Sequence, residues 1–460
     1  MHPIPTRKKT NAMHYFRIIP LLLVVGLASC DVLDVEPYHS IPADQAITTR
    51  QDVQRAINGT YASLQSAGYY GRNFLVVPDL AADNLGWTGT TAGYNQIDNN
   101  SILADNVIVE GIWSSIYRMI SRANTVIAQI PHIDELSMEE ANAFLAELYF
   151  LRALAHFDLV RLFGDVPIRT SPVGASDAEL NVPRDPVAKV YARIFEDLEF
   201  ALAHIPERAP RGRASKASVL ALQARTKLYY HSVSQQQAHL FGAAEAATRV
   251  IEDFGLSLAP DFASLFDGSG HNESVFEVDF NEQDRNRLAE YFFPTSLSGR
   301  REFAPTNKLY NFFPANDLRR DVSIGTDGTN FYGLKYNDIE TGADNVYVIR
   351  LAEMHLIRAE ANIGMNSNME LVRDDVNAIR IRAGLPGVIT VSPFLLERQV
   401  RDMRQMEFAF EGHRWFDLVR TGRAIEELEG VTEAHQTLFP IPLGELLTNF
   451  HEGMVQNPGY

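Results

Sequence analysis

The sequence predicts a mostly α-helical scaffold with little β structure, broken by two long irregular regions. Apolar residues recur at helical spacing over most of the chain. Three segments are studded with alanine every three or four positions. Residues 68–106 and 261–344, by contrast, are rich in Gly, Asn, Asp and aromatics and hold no sustained helical period. Loops of that length in a compact domain are usually functional.

The order of elements starts with a leader. Cys30 is the only cysteine among 460 residues, and it closes an apolar run that follows Arg7, Lys8, Lys9 and Arg17. A basic start, a short apolar stretch and Leu27-Ala28-Ser29 before a cysteine form the layout of a lipoprotein signal. The thiol of Cys30 would take a diacylglycerol, and cleavage would then make it the first residue. On this reading residues 1–29 are the signal peptide, 30–45 a lipidated tether and 46–460 the folded domain. An ordinary secretory signal is the alternative, and a start at Met13 instead of Met1 leaves the signal complete. After Cys30 no apolar stretch is long enough to cross a bilayer, so lipid alone would hold the chain at the membrane.

Helices are expected at 49–66, 107–129, 187–205, 243–254, 370–383 and 397–419. Three more are carried by Ala146-Glu-Leu-Tyr-Phe-Leu-Arg-Ala-Leu-Ala155, Ala352-Glu-Met-His-Leu-Ile-Arg-Ala-Glu-Ala361 and the looser Ser218–Tyr229. Small alanines let two helices approach closely while Leu, Phe and Tyr fill the groove. Such alanine-centred pairs resemble tetratricopeptide units, here scattered and without a fixed period. Gly164, Gly384 and Gly422 sit where helices should end. Trp113 and Trp415 fall on helical faces and are expected in the core, as are His355 and His413. Glu411, Arg414 and Asp417 stand three residues apart in turn and suggest a charged ladder on one face. Arg161 with Asp165, Arg350 with Glu353, and Asp317 to Asp321 read as structural ion pairs.

The formal charge of −17 argues against nucleic acid as a partner. With one cysteine no intramolecular disulfide can form. No G-x-S-x-G, H-E-x-x-H or phosphate-cradling glycine loop is present, so no enzyme and no cofactor is expected. A helical glycan hydrolase working through paired carboxylates remains a rival reading. A pure interaction scaffold is a third.

A series of ordered motifs spans the chain beyond the leader: Ile112-Trp-Ser-Ser-Ile-Tyr-Arg-Met, the segment Ala146 to Pro167, Val348 to Ala361, Val376 to Pro386, Leu438-Phe-Pro-Ile-Pro442 and Gln456-Asn-Pro-Gly-Tyr460. The sharpest is Glu407-Phe-Ala-Phe-Glu-Gly-His-Arg-Trp-Phe-Asp-Leu-Val-Arg-Thr-Gly422. Together they resemble the SusD/RagB family of surface nutrient-binding lipoproteins of Bacteroidetes. The resemblance implies a tetratricopeptide-like scaffold acting as a lid on a SusC-type TonB-dependent outer-membrane transporter. It also implies a glycan ligand, or a peptide in some members, and anchoring to the outer membrane by lipid.

A sugar site needs flat aromatic faces for pyranose C–H surfaces and polar groups for hydroxyls. The first irregular region offers Tyr69, Tyr70, Asp83, Asn84, Trp87 and Tyr94. Trp87, in a Gly- and Thr-rich loop with no helical stripe to bury it, is the leading candidate. The second region offers Tyr291, Phe292 and Arg300, with Tyr332 and Tyr336 behind them. The resemblance implies a platform in the first loop and further aromatics in the second, where the tryptophan expected of the family is absent.

Overall fold

A computed structural model of the chain describes residues 46–172 and 176–460. The expectations for the signal, the tether and Cys30 lie outside these residues. Ile47–Tyr460 forms one compact unit, and no described helix is long and apolar enough to cross a membrane.

The scaffold is helical: α1 (Arg50–Ala62), α2 (Asn73–Leu80), α3 (Val107–Gln129), α4 (Met138–Phe163), α5 (Val187–His204), α6 (Lys216–Ser234), α7 (Gln237–Asp253), α8 (Leu351–Gly364), α9 (Met369–Arg382), α10 (Pro393–Glu407) and α11 (Arg414–Arg420). Neighbours in sequence pack on one another from α3 through α7, then α7 on α8, α8 on α9 and α9 on α10. That succession of helix pairs is tetratricopeptide-like. Caps define the starts: Thr49 and Asp52 close a capping box on α1, as do Ser137 and Glu140 on α4. Gly164, at φ 73°, ends α4 in a conformation that a side chain would strain. The alanine stripes are core, with Ala146, Ala153, Ala155, Ala352, Ala359 and Ala361 all at 0% exposure. Trp113 and Trp415 are buried too.

The region between 261 and 344 is less irregular than its composition suggests. It contributes short strands: β2 (Ser274–Val278), β3 (Phe303–Pro305), β4 (Ile324–Thr326) and β5 (Phe331–Gly333). These pair antiparallel as β1 (Leu85–Trp87) with β3, β2 with β6 (Val346–Arg350), and β4 with β5. The first irregular region likewise holds α2. Every residue of α2 is buried, so it shows no polar face and no amphipathic period.

The expected helix 397–419 is two helices. The chain turns between α10 and α11 through Phe410 (φ 67°) and Gly412 (φ 75°). A Cβ on Gly412 would lie 2.9 Å from the Phe74 carbonyl oxygen, and its N–H donates to Asp79 at 3.0 Å. Close approach to α2 therefore demands glycine here.

That break also dissolves the expected ladder. Glu411 accepts from Arg350 at 2.8 and 2.9 Å and from Lys335 at 2.7 Å. Arg414 donates to Asp83 and Glu427, and Asp417 accepts from Arg404 and Arg420. Arg350 pairs with Glu273, Glu407 and Glu411 rather than Glu353, whose partners are Arg225 and, at 3.9 Å, Arg404. Arg161 pairs with Asp158, one turn back, while Asp165 accepts from the Val187 N–H. The pairing within Asp317 to Asp321 does form, Arg319 with Asp317 at 2.6 Å and Arg320 with Asp321 at 3.0 Å.

Arg319, Lys335, Arg350 and Arg382 meet Glu273, Asp317, Glu407 and Glu411 in one buried cluster, in which no side chain is more than 4% exposed. Removing an ion from water costs several kcal/mol even after relaxation, so such a cluster persists only when its charges match. Burial alone would raise the Glu407 carboxyl, but Arg382, Arg350 and Arg319 outweigh it and hold it well below its ordinary value.

Candidate functional site

The candidate site grows from the β1–β3 ribbon. Trp87 is the last residue of β1, opposite Phe303, and its backbone N–H donates to Asp98 at 3.1 Å. Beyond it the chain is pinned to the loop before β3. The Thr88 N–H donates to the Glu302 carbonyl at 3.0 Å and its hydroxyl to the Arg301 carbonyl at 2.7 Å. The Glu302 carboxylate accepts from the N–H groups of Thr90 at 3.2 Å and Thr91 at 2.8 Å. Burial would raise that carboxyl, but the bonds from Thr91 and its neighbours hold it below its ordinary value. A Cβ on Gly89 would fall 2.3 Å from the same carboxylate, so a side chain here would push Glu302 off these bonds. Trp87 stays half-buried, its inner side packed on the core.

Arginines flank this ribbon. The guanidinium of Arg72 lies 4.1 Å from the centre of the Tyr291 ring and that of Arg300 4.8 Å. Arg300 also donates to the Tyr291 hydroxyl at 3.3 Å, and 45% of its side chain is exposed. The Asn73 side-chain Oδ1 accepts from Arg72 at 3.0 Å and from the Tyr94 hydroxyl at 2.7 Å, fixing the start of α2 beneath. The β3 strand also packs against β5. There Phe331 stacks on Tyr310 with centroids 4.2 Å apart, and Tyr332 meets Phe293 edge-on at 5.1 Å. Tyr310, Phe331 and Tyr332 are all half-buried. The arrangement offers part-exposed aromatic faces with N–H donors alongside, the chemistry of a sugar rim.

Other expected contact residues sit inside. Tyr69 and Tyr70 are 0% and 3% exposed, and both hydroxyls donate to Asp158, at 2.6 and 2.8 Å. Burial and the Asp158 charge push both phenols well above their ordinary value. Asn84 donates to Asp79 and accepts from Gln405 at 3.1 Å. Asp83 takes a two-pronged contact from Arg414, at 2.7 and 3.0 Å, and one from Lys308 at 2.9 Å. Tyr94 and Phe292 pack edge-on to Phe303, and Tyr336 is 1% exposed. Tyr291 is 8% exposed and its ring is covered by guanidinium groups. These residues hold the loops in place, and a loop with Gly- and Asn-rich composition needs that internal framework because it lacks helical bonding. Trp87 and Arg300 remain at the surface.

Arg72, Tyr310 and Phe331 were not anticipated. Arg72 lies between Tyr70 and Asn73, where its basic side chain among aromatics was the available signal. Tyr310 and Phe331 become neighbours only through the pairing of distant strands. Among the described residues no His, Cys, Asp and Glu cluster is arranged to hold a metal ion.

Two family models match the chain. One, for proteins described as starch-binding and associating with the outer membrane, covers residues 31–228, and one for the SusD family covers residues 333–437. The SusD-like protein P2 of Formosa agariphila is 28% identical, over 97% of this chain and all of its own length. A SusD-like protein of Bacteroides ovatus is 23% identical over 79% of this chain and 75% of its own. Among solved structures, a SusD superfamily protein from Bacteroides vulgatus superposes with a TM-score of 0.80 at 20% identity, covering 89% of this chain and 99% of its own. A laminarin-binding SusD-like protein superposes with a TM-score of 0.78 at 24% identity, covering 90% and 100%. In fold and in sequence, this chain belongs to the SusD family.

Proposed function

We propose that the chain is a surface lipoprotein that binds an oligosaccharide or polysaccharide and passes it, unchanged, to a SusC-type TonB-dependent outer-membrane transporter. The observation that carries the binding step is Trp87: a half-buried indole on a pinned ribbon, with Arg300 exposed on the neighbouring loop. The indole offers a flat apolar face, and the guanidinium supplies donors for hydroxyls. A laminarin-binding relative of the same fold is in keeping with a glycan ligand. The lipid on Cys30 rests on the sequence layout, and the transporter on membership of the family.

The test is electrophoresis of the purified protein through gels carrying different polysaccharides, with a parallel assay for new reducing ends. Retardation by one polymer without new ends is the expected result. Released ends would make the protein a hydrolase, and indifference to every polymer would remove the glycan reading in favour of a peptide.

A further inference from the structure

A second cleft lies away from the β1–β3 ribbon, among α6, α8, α10 and α11. Its volume is about 530 Å³, within the range that holds a small ligand. Five arginines and three carboxylates line it, and two of the arginines, Arg414 and Arg423, pair with Asp83 and Glu427 outside the lining. Two of the carboxylates are already engaged. Asp417 accepts from Arg404 at 2.8 Å and from Arg420 at 2.8 Å, and Glu360 accepts from Arg420 at 2.9 Å. The third, Glu397, is exposed and forms no ion pair with Arg401 one turn along α10.

Donors are left over. Arg404 is buried, with 3% of its side chain exposed, and its Nε and Nη2 face Asp417 and His413. Its Nη1, on the other side of the guanidinium, has no partner. Arg401 is half-buried and has neither a hydrogen bond nor an ion pair among the described residues. A buried guanidinium nitrogen without an acceptor forfeits the hydrogen bond that water would have given it. An acceptor brought by a ligand would remove that cost.

We propose that this cleft binds a sugar acid of monosaccharide size, its carboxylate held by Arg404 and Arg401. A planar carboxylate matches the fork of an arginine, which a neutral sugar does not. Ser232 and Gln235 supply polar groups for hydroxyls, and Leu240 and Val400 an apolar wall for ring C–H groups. The cleft is separate from the rim at Trp87, although Gln405 in its wall bonds to Asn84 at 3.1 Å, three residues before Trp87.

The experiment is titration calorimetry of the purified full chain with glucuronate, glucose, acetate and sulfate, repeated for Arg401→Gln and Trp87→Ala. Glucuronate should bind saturably, glucose and acetate at least tenfold more weakly. Arg401→Gln, whose side chain makes no hydrogen bond or ion pair among the described residues, should keep its thermal transition and weaken glucuronate about tenfold. Trp87→Ala should leave glucuronate binding intact, which separates this site from the polysaccharide rim. Equal affinity for acetate or sulfate would reduce the cleft to a general anion site. Absent binding, or binding unaffected by Arg401→Gln, would overturn the proposal.

Discussion

The buried charge cluster behind the Glu407–Gly422 motif and the aromatic rim around Trp87 are built on opposite principles. In the cluster, Arg350 alone makes contacts with three carboxylates at 2.6 to 2.9 Å, and neither its side chain nor theirs is more than 2% exposed. At the rim, Trp87 and Tyr332 are only partly buried and Arg300 reaches solvent. The first region spends its hydrogen-bonding capacity inside the protein. The second keeps part of it for something outside. The more distinctive motif of the sequence is thus architectural, and the candidate binding chemistry sits in segments with little pattern.

This contrast sets the size of the expected effects. Arg350→Met should be the most damaging change, since it leaves Glu407 and Glu411 buried with fewer cations. Loss of one partner in a buried pair costs about 3–5 kcal/mol, so the variant should unfold at much lower denaturant or fail to fold. A loss below about 1 kcal/mol would show that the cluster relaxes or hydrates.

Two buried groups inside the scaffold should oppose each other with pH. Burial pushes Asp79 up to about 7, above its ordinary 3.8. In the unfolded chain it ionises first, so its contribution favours the folded state in acid and is lost as pH rises from about 4 to 7. Burial pushes His156 down to about 4 from 6.5. Its Nδ1 donates to the Arg152 carbonyl at 2.9 Å and its Nε2 accepts from the Arg169 N–H at 3.3 Å, which fixes the neutral ring. Its contribution is therefore present near neutrality and lost as pH falls from about 6.5 to 4. Asp79→Asn should expose the His156 trend, with stability falling on acidification by on the order of 2–3 kcal/mol. His156→Gln should expose the reverse. Denaturant titrations between pH 4 and 7 would read both, and parallel curves for the two variants would contradict the assignments.

Trp87→Ala should leave the thermal transition nearly in place and weaken polysaccharide binding about tenfold, or about 1.4 kcal/mol. A collapsed transition would move Trp87 from rim to core. Smallest of all, Tyr70→Phe removes one hydroxyl from Asp158, which keeps Tyr69 and Arg161. It should cost about 1 kcal/mol of stability and nothing in binding.

Much of the scaffold was legible because a helix half-exposed to water must repeat its apolar residues. Ile108, Ile112, Ile116, Met119 and Ala123 of α3 show that directly, and the expected bounds of α3 match the observed ones. Where burial is complete the signal vanishes, as in α2, where no residue faces water. The turn at Phe410 and Gly412 was hidden because it answers to α2, more than 300 residues upstream. The ion pairs were misassigned for a related reason: spacing ranks local partners, but Arg350, Glu407 and Glu273 meet through tertiary packing. In the candidate site Trp87 could be singled out by its loop context. Tyr69, Tyr70 and Asn84 shared that context, and only their partners Asp158 and Asp79 reveal them as internal.

The most direct measurement is retardation of the wild-type protein, Trp87→Ala and Tyr70→Phe in one polysaccharide gel. A binding rim at the β1–β3 ribbon predicts that Tyr70→Phe is retarded like the wild type while Trp87→Ala migrates freely. Equal retardation of all three folded proteins would place the binding surface elsewhere on the molecule.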